Sequence, residues 1–291
     1  MKILNFGSLN IDHVYSVDHF VRPGETLASR SYRRYAGGKG NNQSIALARA
    51  GAQVWHAGKV GRDGEWLIDN LRRAGVNTAH IKFADVPTGH AIIQVNAEGE
   101  NCIVLYGGAN QTVSQRDAKA VLSRFDVGDV LLLQNEISAV PDILRIATDH
   151  GMTIVFNPAP MDASVLSYPL DRVAVFIINE TEGSQFTGQG EPDRILDGML
   201  ERYPRSATIL TLGARGAVYA HASERVAVPA ENVKAVDTTA AGDTFTGFFV
   251  TEFARGSEVE LSLRMACKAA AICVTRRGAA DSIPRREELK L

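Results

Sequence analysis

Apolar positions along the chain gather in short runs rather than in long helical stripes. Residues 3–6 (ILNF), 54–58 (VWHAG), 129–134 (DVLLLQ), 153–160 (TIVFNPAP), 173–180 (VAVFIINE) and 208–213 (TILTLG) are rich in Val, Ile, Leu and Phe. Runs of that length and composition predict strands, and their near-continuous apolar character predicts burial on both faces. Between them lie amphipathic stretches, from about 41 to 50 and through 66–75 (WLIDNLRRAG), with helical spacing. Strands alternating with helices predict an α/β fold with a central, mostly parallel sheet flanked by helices.

Two stretches break this rhythm, 13–38 and 88–108. In the second, AIIQV and CIVLY alternate around Asn-Ala-Glu-Gly-Glu, a hairpin signal. Gly37-Gly38 and Gly107-Gly108 close the two stretches. They are read together as one antiparallel lid on flexible glycine joints; edge strands of the main sheet are the other reading.

Composition narrows the function classes. The chain has 291 residues, 45% hydrophobic, with a net charge of −2. No run of Lys or Arg is long enough to track a nucleic-acid backbone or an anionic membrane. The start of the chain turns polar within a few residues, and no apolar run approaches the roughly 18 residues of a membrane span, so a cytoplasmic protein is expected. Cys102, Cys267 and Cys273 form no C-x-x-C pair and are expected to be reduced, buried thiols.

Neither G-x-G-x-x-G nor G-x-x-x-x-G-K-[ST] occurs, so a phosphate cradle must come from elsewhere. The segment DTTAAGD (237–243) supplies one. Ala240, Ala241 and Gly242 are small enough for backbone N–H groups at a helix start to approach an anion closely. Asp243 beside them could accept a proton from a hydroxyl that attacks a phosphoryl group; alone, it would read as a helix N-cap. Asn10 and Asp12, two apart in extended backbone, project to one side, where they could pair with sugar hydroxyls. Gly37, Gly38, Lys39 and Asn42, in GGKGNN, join close backbone access to two polar side chains. Glu136, after an apolar strand, lies where α/β sheets bind ligands. Each of these, alone, is equally a turn or loop residue.

Together, GGKGNNQ (37–43) and DTTAAGDTFTGFF (237–249) resemble the two signatures of ribokinase-like (PfkB-type) carbohydrate kinases. The resemblance extends through GSLNID, NPAP, NETE, TLGARG and VTRRGA, essentially the whole chain. It implies a three-layer sandwich with a small β-sheet lid, one domain over 1–291, and a homodimer joined through the lid. It implies ATP as donor, Asp243 as general base and the amides of 240–243 as an anion hole. Asn10, Asp12, Gly38, Lys39, Asn42 and Glu136 correspond to ribose-binding positions. Nucleotide contacts are implied for Asn179, Thr211, Gly213, Gly216 and Gly242, and Glu182 would order Mg2+-bound water. Asp237, the Thr239 carbonyl, the carbonyls of Cys273, Arg276 and Gly278, and Ser282 would hold an activating K+.

Three positions depart from the family pattern. Ile178 replaces a proline before NETE, Asn41 a small residue before Asn42, and Cys267 a histidine near the adenine. The reading is a small-sugar kinase, with ribose the leading acceptor. Fructose, deoxyribose and nucleosides remain alternatives, as does a non-catalytic sugar or nucleotide sensor. A dehydrogenase is disfavoured by the missing glycine fingerprint.

Overall fold

In the computed structural model, which describes residues 1–289, the apolar runs form the inner strands of one sheet. In chain order the strands are β1 (Ile3–Phe6), β2 (Asn10–Ser16), β3 (Ser31–Gly37), β4 (Val54–Val60), β5 (Asn77–Phe83), β6 (Gly89–Val95) and β7 (Asn101–Tyr106). There follow β8 (Val130–Gln134), β9 (Thr153–Asn157), β10 (Val173–Asn179), β11 (Ala207–Thr211), β12 (Ala217–His221) and β13 (Glu224–Val228). The helices are α1 (Lys39–Arg49), α2 (Glu65–Arg73), α3 (Gln115–Leu122), α4 (Val140–Asp149), α5 (Glu180–Thr187), α6 (Pro192–Arg202), α7 (Ala241–Arg255) and α8 (Val259–Val274).

Nine strands make the main sheet, ordered β13-β12-β11-β10-β9-β8-β1-β4-β5. It is parallel from β11 to β5 and ends in an antiparallel β12–β13 hairpin. Each central strand sends alternate side chains to opposite layers. Ile3 of β1 packs in the core shared with α1, α2, α7 and α8, whereas Leu4 and Phe6 pack in the core shared with α3 to α6. Strand β8 is buried at every position, as its unbroken apolar run requires. Chain order reverses between β1 and β8, so a switch point opens at their carboxyl ends.

The two irregular stretches form a separate four-stranded sheet, ordered β3-β2-β6-β7. Two antiparallel hairpins, β2–β3 and β6–β7, are joined by parallel pairing of β2 with β6. The first hairpin begins at Asn10, so Asn10 and Asp12 lie within a lid strand rather than in a turn before it. Strand β7 is exposed along its whole length, which places Cys102 at the surface and corrects the expectation of three buried cysteines. No helix among the described residues is long and apolar enough to cross a membrane.

Helices α1 and α7 pack unusually closely. A Cβ at Gly247 would lie 2.8 Å from the backbone nitrogen of Leu47 and closer still to the Ala46 side chain. Only glycine allows that approach, which brings the first turn of α1 against the first turn of α7.

Candidate active site

The carboxyl ends of β1, β8, β9, β10 and β11 deliver Ser8, Glu136, Asn157, Asn179 and Thr211 to one rim of the sheet. Above that rim, the start of α7 forms one wall of a cavity of about 240 Å³, which Lys39, Asn179, Glu182, Gly242 and Asp243 also line. Ala240 precedes α7 in a left-handed conformation, φ 59°, and caps the helix without a side-chain hydrogen bond. Asp243 is therefore two residues inside the helix and is not its N-cap. Ala241 N–H donates to the Thr238 carbonyl at 3.2 Å, while the N–H groups of Gly242 and Asp243 have no acceptor among the described residues. Of the amides expected to face an anion, 240–243, only that of Ala241 is engaged by a backbone carbonyl, and the start of α7 keeps donors that an anion could take.

Asp243 is buried, 9% exposed, and both carboxylate oxygens are held. Asn42 Nδ2 donates to Oδ2 at 3.0 Å, and Gln43 Nε2 donates to Oδ1 at 2.9 Å. The approach of α1 to α7 puts these amides in reach. Gln43 was overlooked from sequence, although it closes the GGKGNNQ segment, because its partner is 200 residues away.

Lys39 stands among three acids. Burial alone would lower its pKa, but the carboxylates of Asp243, Glu136 and Glu182 outweigh that and raise it, so the ammonium is charged. It lines this cavity, and only its backbone N–H touches Glu136, at 2.9 Å. Asn179 caps α5 in a reciprocal box. Glu182 N–H donates to Asn179 Oδ1 at 2.8 Å, and the Glu182 carboxylate accepts from Asn179 N–H at 3.0 Å. The cap and the site-facing carboxylate are one motif, and burial raises the Glu182 pKa.

At the end of the site nearest the four-stranded sheet, Glu136 Oε2 accepts from Ser8 Oγ at 2.5 Å, a partner not anticipated from sequence. Burial raises the pKa of Asp12 to about 6, with Glu136 adding repulsion. Burial likewise raises Glu136. Two adjacent acids pushed upward are poised to accept hydrogen bonds from neutral hydroxyls. A Cβ at Gly37 would lie 2.1 Å from Asp12 Oδ2, so this glycine makes room for the acid. Asn110 fixes Asn10, donating from Nδ2 to Asn10 Oδ1 at 2.7 Å.

A second cavity of about 300 Å³ continues from Thr211 and Gly242 between the β11–β12 turn and α8. Its walls include Val233, Phe245, Cys267, Ala270 and Val274. Burial drives the Cys267 thiol to about 11, so it packs as a small apolar group. Gly213 borders open space, and Gly216, which also lines this cavity, is required by the backbone as well. With φ 103°, a Cβ there would lie 2.0 Å from the Val228 carbonyl oxygen, so the edge hairpin requires it.

The expected cation residues gather at one corner. Asp237 accepts from Thr239 N–H at 2.9 Å and from Gly278 N–H at 3.0 Å. Burial opposes ionisation of Asp237, yet the donors from Thr239 and Gly278 hold its pKa low. Cys273 Sγ lies 3.0 Å from Ser282 Oγ, and the Cys273 carbonyl accepts from Arg276 N–H at 3.0 Å.

This architecture belongs to a known family. A family model described as pfkB family carbohydrate kinase matches residues 1–286, and the chain is a member of that family. A ribokinase of Haemophilus influenzae is 37% identical over 97% of this chain and 95% of its own length. The crystal structure of a ribokinase from Cryptococcus neoformans in complex with ADP superposes with a TM-score of 0.86 at 35% identity, covering 99% of this chain and 98% of that one. An Arabidopsis thaliana ribokinase complexed with ribose and ATP superposes with a TM-score of 0.88 at 28% identity, covering 98% and 96%.

Proposed function

We propose that the protein transfers the γ-phosphate of ATP to the primary hydroxyl of ribose, giving ribose 5-phosphate and ADP. The observation that carries this reading is the position of Asp243. Its carboxylate stands where the phosphate cavity meets the polar sugar end, held by Asn42 and Gln43 beside free amides at a helix start. A solved ribokinase of the same fold is complexed with ribose and ATP, which supports the choice of these two substrates.

In this reading Asn10, Asp12, Gly37, Gly38, Asn42 and Glu136 fix the sugar, and Asp243 takes the proton of the attacking hydroxyl. The N–H groups of Gly242 and Asp243, with the Lys39 ammonium, stabilise charge on the transferring group. The adenine lies in the apolar cavity beside Cys267, and Asn179, Thr211 and Gly213 flank the phosphates. The four-stranded sheet closes as a lid, excluding water that would otherwise compete for the phosphoryl group.

Magnesium fits this site through water. Glu182 and Asp243 are the two buried carboxylates lining the cavity, and among the described residues no three His, Cys, Asp or Glu side chains gather to hold a metal directly. Bound with ATP, the ion would neutralise phosphate charge. The corner of Asp237, the Thr239 carbonyl, the carbonyls of Cys273, Arg276 and Gly278, and Ser282 offers oxygen donors suited to a hard monovalent cation. Potassium there would stabilise the loop leading into the anion hole.

Exposed apolar residues on the lid, including Ile92, Ile103, Val104 and Leu105, support a homodimer through that sheet. The need for ATP and the three free thiols support a cytoplasmic protein. The test is ADP release across pentoses, hexoses and nucleosides, with the product's phosphate position read by phosphorus NMR. The proposal expects ribose to exceed fructose, deoxyribose and adenosine in kcat/KM by about tenfold or more. A hexose or nucleoside in first place would overturn the choice of ribose.

A further inference from the structure

Behind the Gln43–Asp243 contact lies a buried chain of side-chain amides that extends well beyond the groups the catalytic reading uses. Gln43, Gln134 and Asn5 are each at most 1% exposed. Gln43 Nε2 donates to Asp243 Oδ1 at 2.9 Å and to Asn157 Oδ1 at 3.1 Å. Gln43 Oε1 accepts from Gln134 Nε2 at 2.6 Å, and the same nitrogen donates to Asn5 Oδ1 at 2.9 Å. Asn5 Nδ2 then donates to the Gly40 carbonyl at 2.8 Å and to Ser44 Oγ at 2.9 Å. The chain ends where Ser44 Oγ meets His56 Nδ1 at 2.8 Å.

An amide nitrogen has two hydrogens and no acceptor, and an ionised carboxylate has no hydrogen at all. Asp243 therefore dictates which end of Gln43 faces it. That choice dictates the orientation of Gln134, and Gln134 dictates Asn5. Rotating any one of these amides by half a turn would set buried donor against donor or acceptor against acceptor. The two contacts to Asp243 thus differ. Asn42 lies at the sugar end and can exchange its bond for one to substrate, whereas Gln43 is locked from behind.

We propose that Gln43 is the positioning residue of the reaction, oriented by Gln134 and Asn5, and that it fixes the Asp243 carboxylate before the sugar arrives. The proposal rests on the reading of Asp243 as the base. Pre-set geometry of this kind acts on the chemical step and leaves ground-state binding alone. Gln43→Met keeps the volume and removes the donor. Gln43→Glu keeps the shape and sets one carboxylate against another, a pair that binds a shared proton as pH falls.

The experiment measures kcat and both KM values for these variants under saturating ribose and ATP, between about pH 8 and pH 6, with thermal melts alongside. Gln43→Met is expected to lose about tenfold to a hundredfold in kcat with both KM values within about threefold. Gln43→Glu is expected to lose more at the alkaline end and to recover part of its rate on acidification, as the shared proton restores a donor. A side chain that merely fills space would not produce that recovery. Gln134→Met, which frees Gln43 to rotate, is expected to lower kcat about threefold to tenfold. It also serves as the deciding variant if Gln43→Met does not fold.

The positioning role is overturned if folded Gln43→Met, or Gln134→Met in its place, keeps wild-type kcat, or if the Gln43→Glu deficit is the same at every pH. Asp243→Asn separates the two readings. Loss of turnover there with normal kcat in Gln43→Met rejects the positioning role alone. Retained turnover in Asp243→Asn rejects the base and the positioning role together.

Discussion

Two strands of this protein are opposites in setting. In β8 every residue is buried, and the strand delivers Gln134 and Glu136 to the site from the centre of the sheet. In β7 every residue is exposed, and the sheet it belongs to delivers Asn10 and Asp12 on β2, with β6 lying between β2 and β7. The phosphate end is thus built on packed, cross-braced elements, whereas half of the sugar end rides on a sheet with little core of its own. The difference teaches that proton transfer and sugar recognition are mechanically separable here. Chemistry draws on the rigid body, and recognition depends on where the lid lies.

The separation can be attacked first where the rigid half is tightest. Gly247→Val forces α1 away from α7, and overpacking of this kind costs about 1–3 kcal/mol. The expected outcome is a lower Tm together with a kcat loss of about a hundredfold, because Asn42 and Gln43 retreat from Asp243. A lower Tm with normal kcat would show that the helix contact supports the fold but not the base.

On the lid side, Asp12→Asn is expected to raise the KM for ribose by about tenfold to a hundredfold with kcat nearly unchanged, since a hydrogen bond to a hydroxyl is lost in ground state and transition state alike. The pH dependence follows the same residue. Its folded pKa is raised to about 6, so the acceptor form is complete above that value and declines below it. The KM for ribose should therefore climb toward tenfold for about each pH unit below that point, while kcat at saturation falls less. The stability sign is opposite to the usual carboxylate case. Folding favours the protonated acid, so Asp12 lends stability at low pH that fades as pH rises through about 6.

Smaller effects should follow from changes remote from both ends. Replacing potassium by tetramethylammonium is expected to lower kcat several-fold, because the Asp237 corner then loses the cation that steadies the loop before α7; an unchanged rate would remove the cation from the account. Leu105→Lys, at an exposed lid position, is expected to shift the dimer to monomer by sedimentation with little change in Tm. An already monomeric wild type at micromolar concentration would discard the lid interface.

What could be read from sequence follows from how local each signal is. The inner strands were legible because both their faces are apolar. The helix start at Ala241 was legible because the small residues Ala240 to Gly242 lie together ahead of an apolar helical run. Strand β5 (NTAHIKF) and the β12–β13 hairpin escaped notice because they lie at sheet edges, where half-exposed positions blur the pattern. Gln43 and Asn110 escaped for another reason. Their partners, Asp243 and Asn10, lie 200 and 100 residues away, and a polar residue on a helix or in a turn carries no mark of which distant group it will meet. Gly216 shows the converse: a glycine in a nucleotide-like turn whose necessity comes from a neighbouring strand.

The central claim is that Asp243 is the base of a sugar kinase, and the direct measurement is paired on one variant. Asp243→Asn should bind ribose with wild-type affinity by calorimetry and melt near the wild type, while coupled ADP release falls by about a thousandfold. A folded Asp243→Asn protein that phosphorylates ribose within about tenfold of the wild-type rate would contradict it.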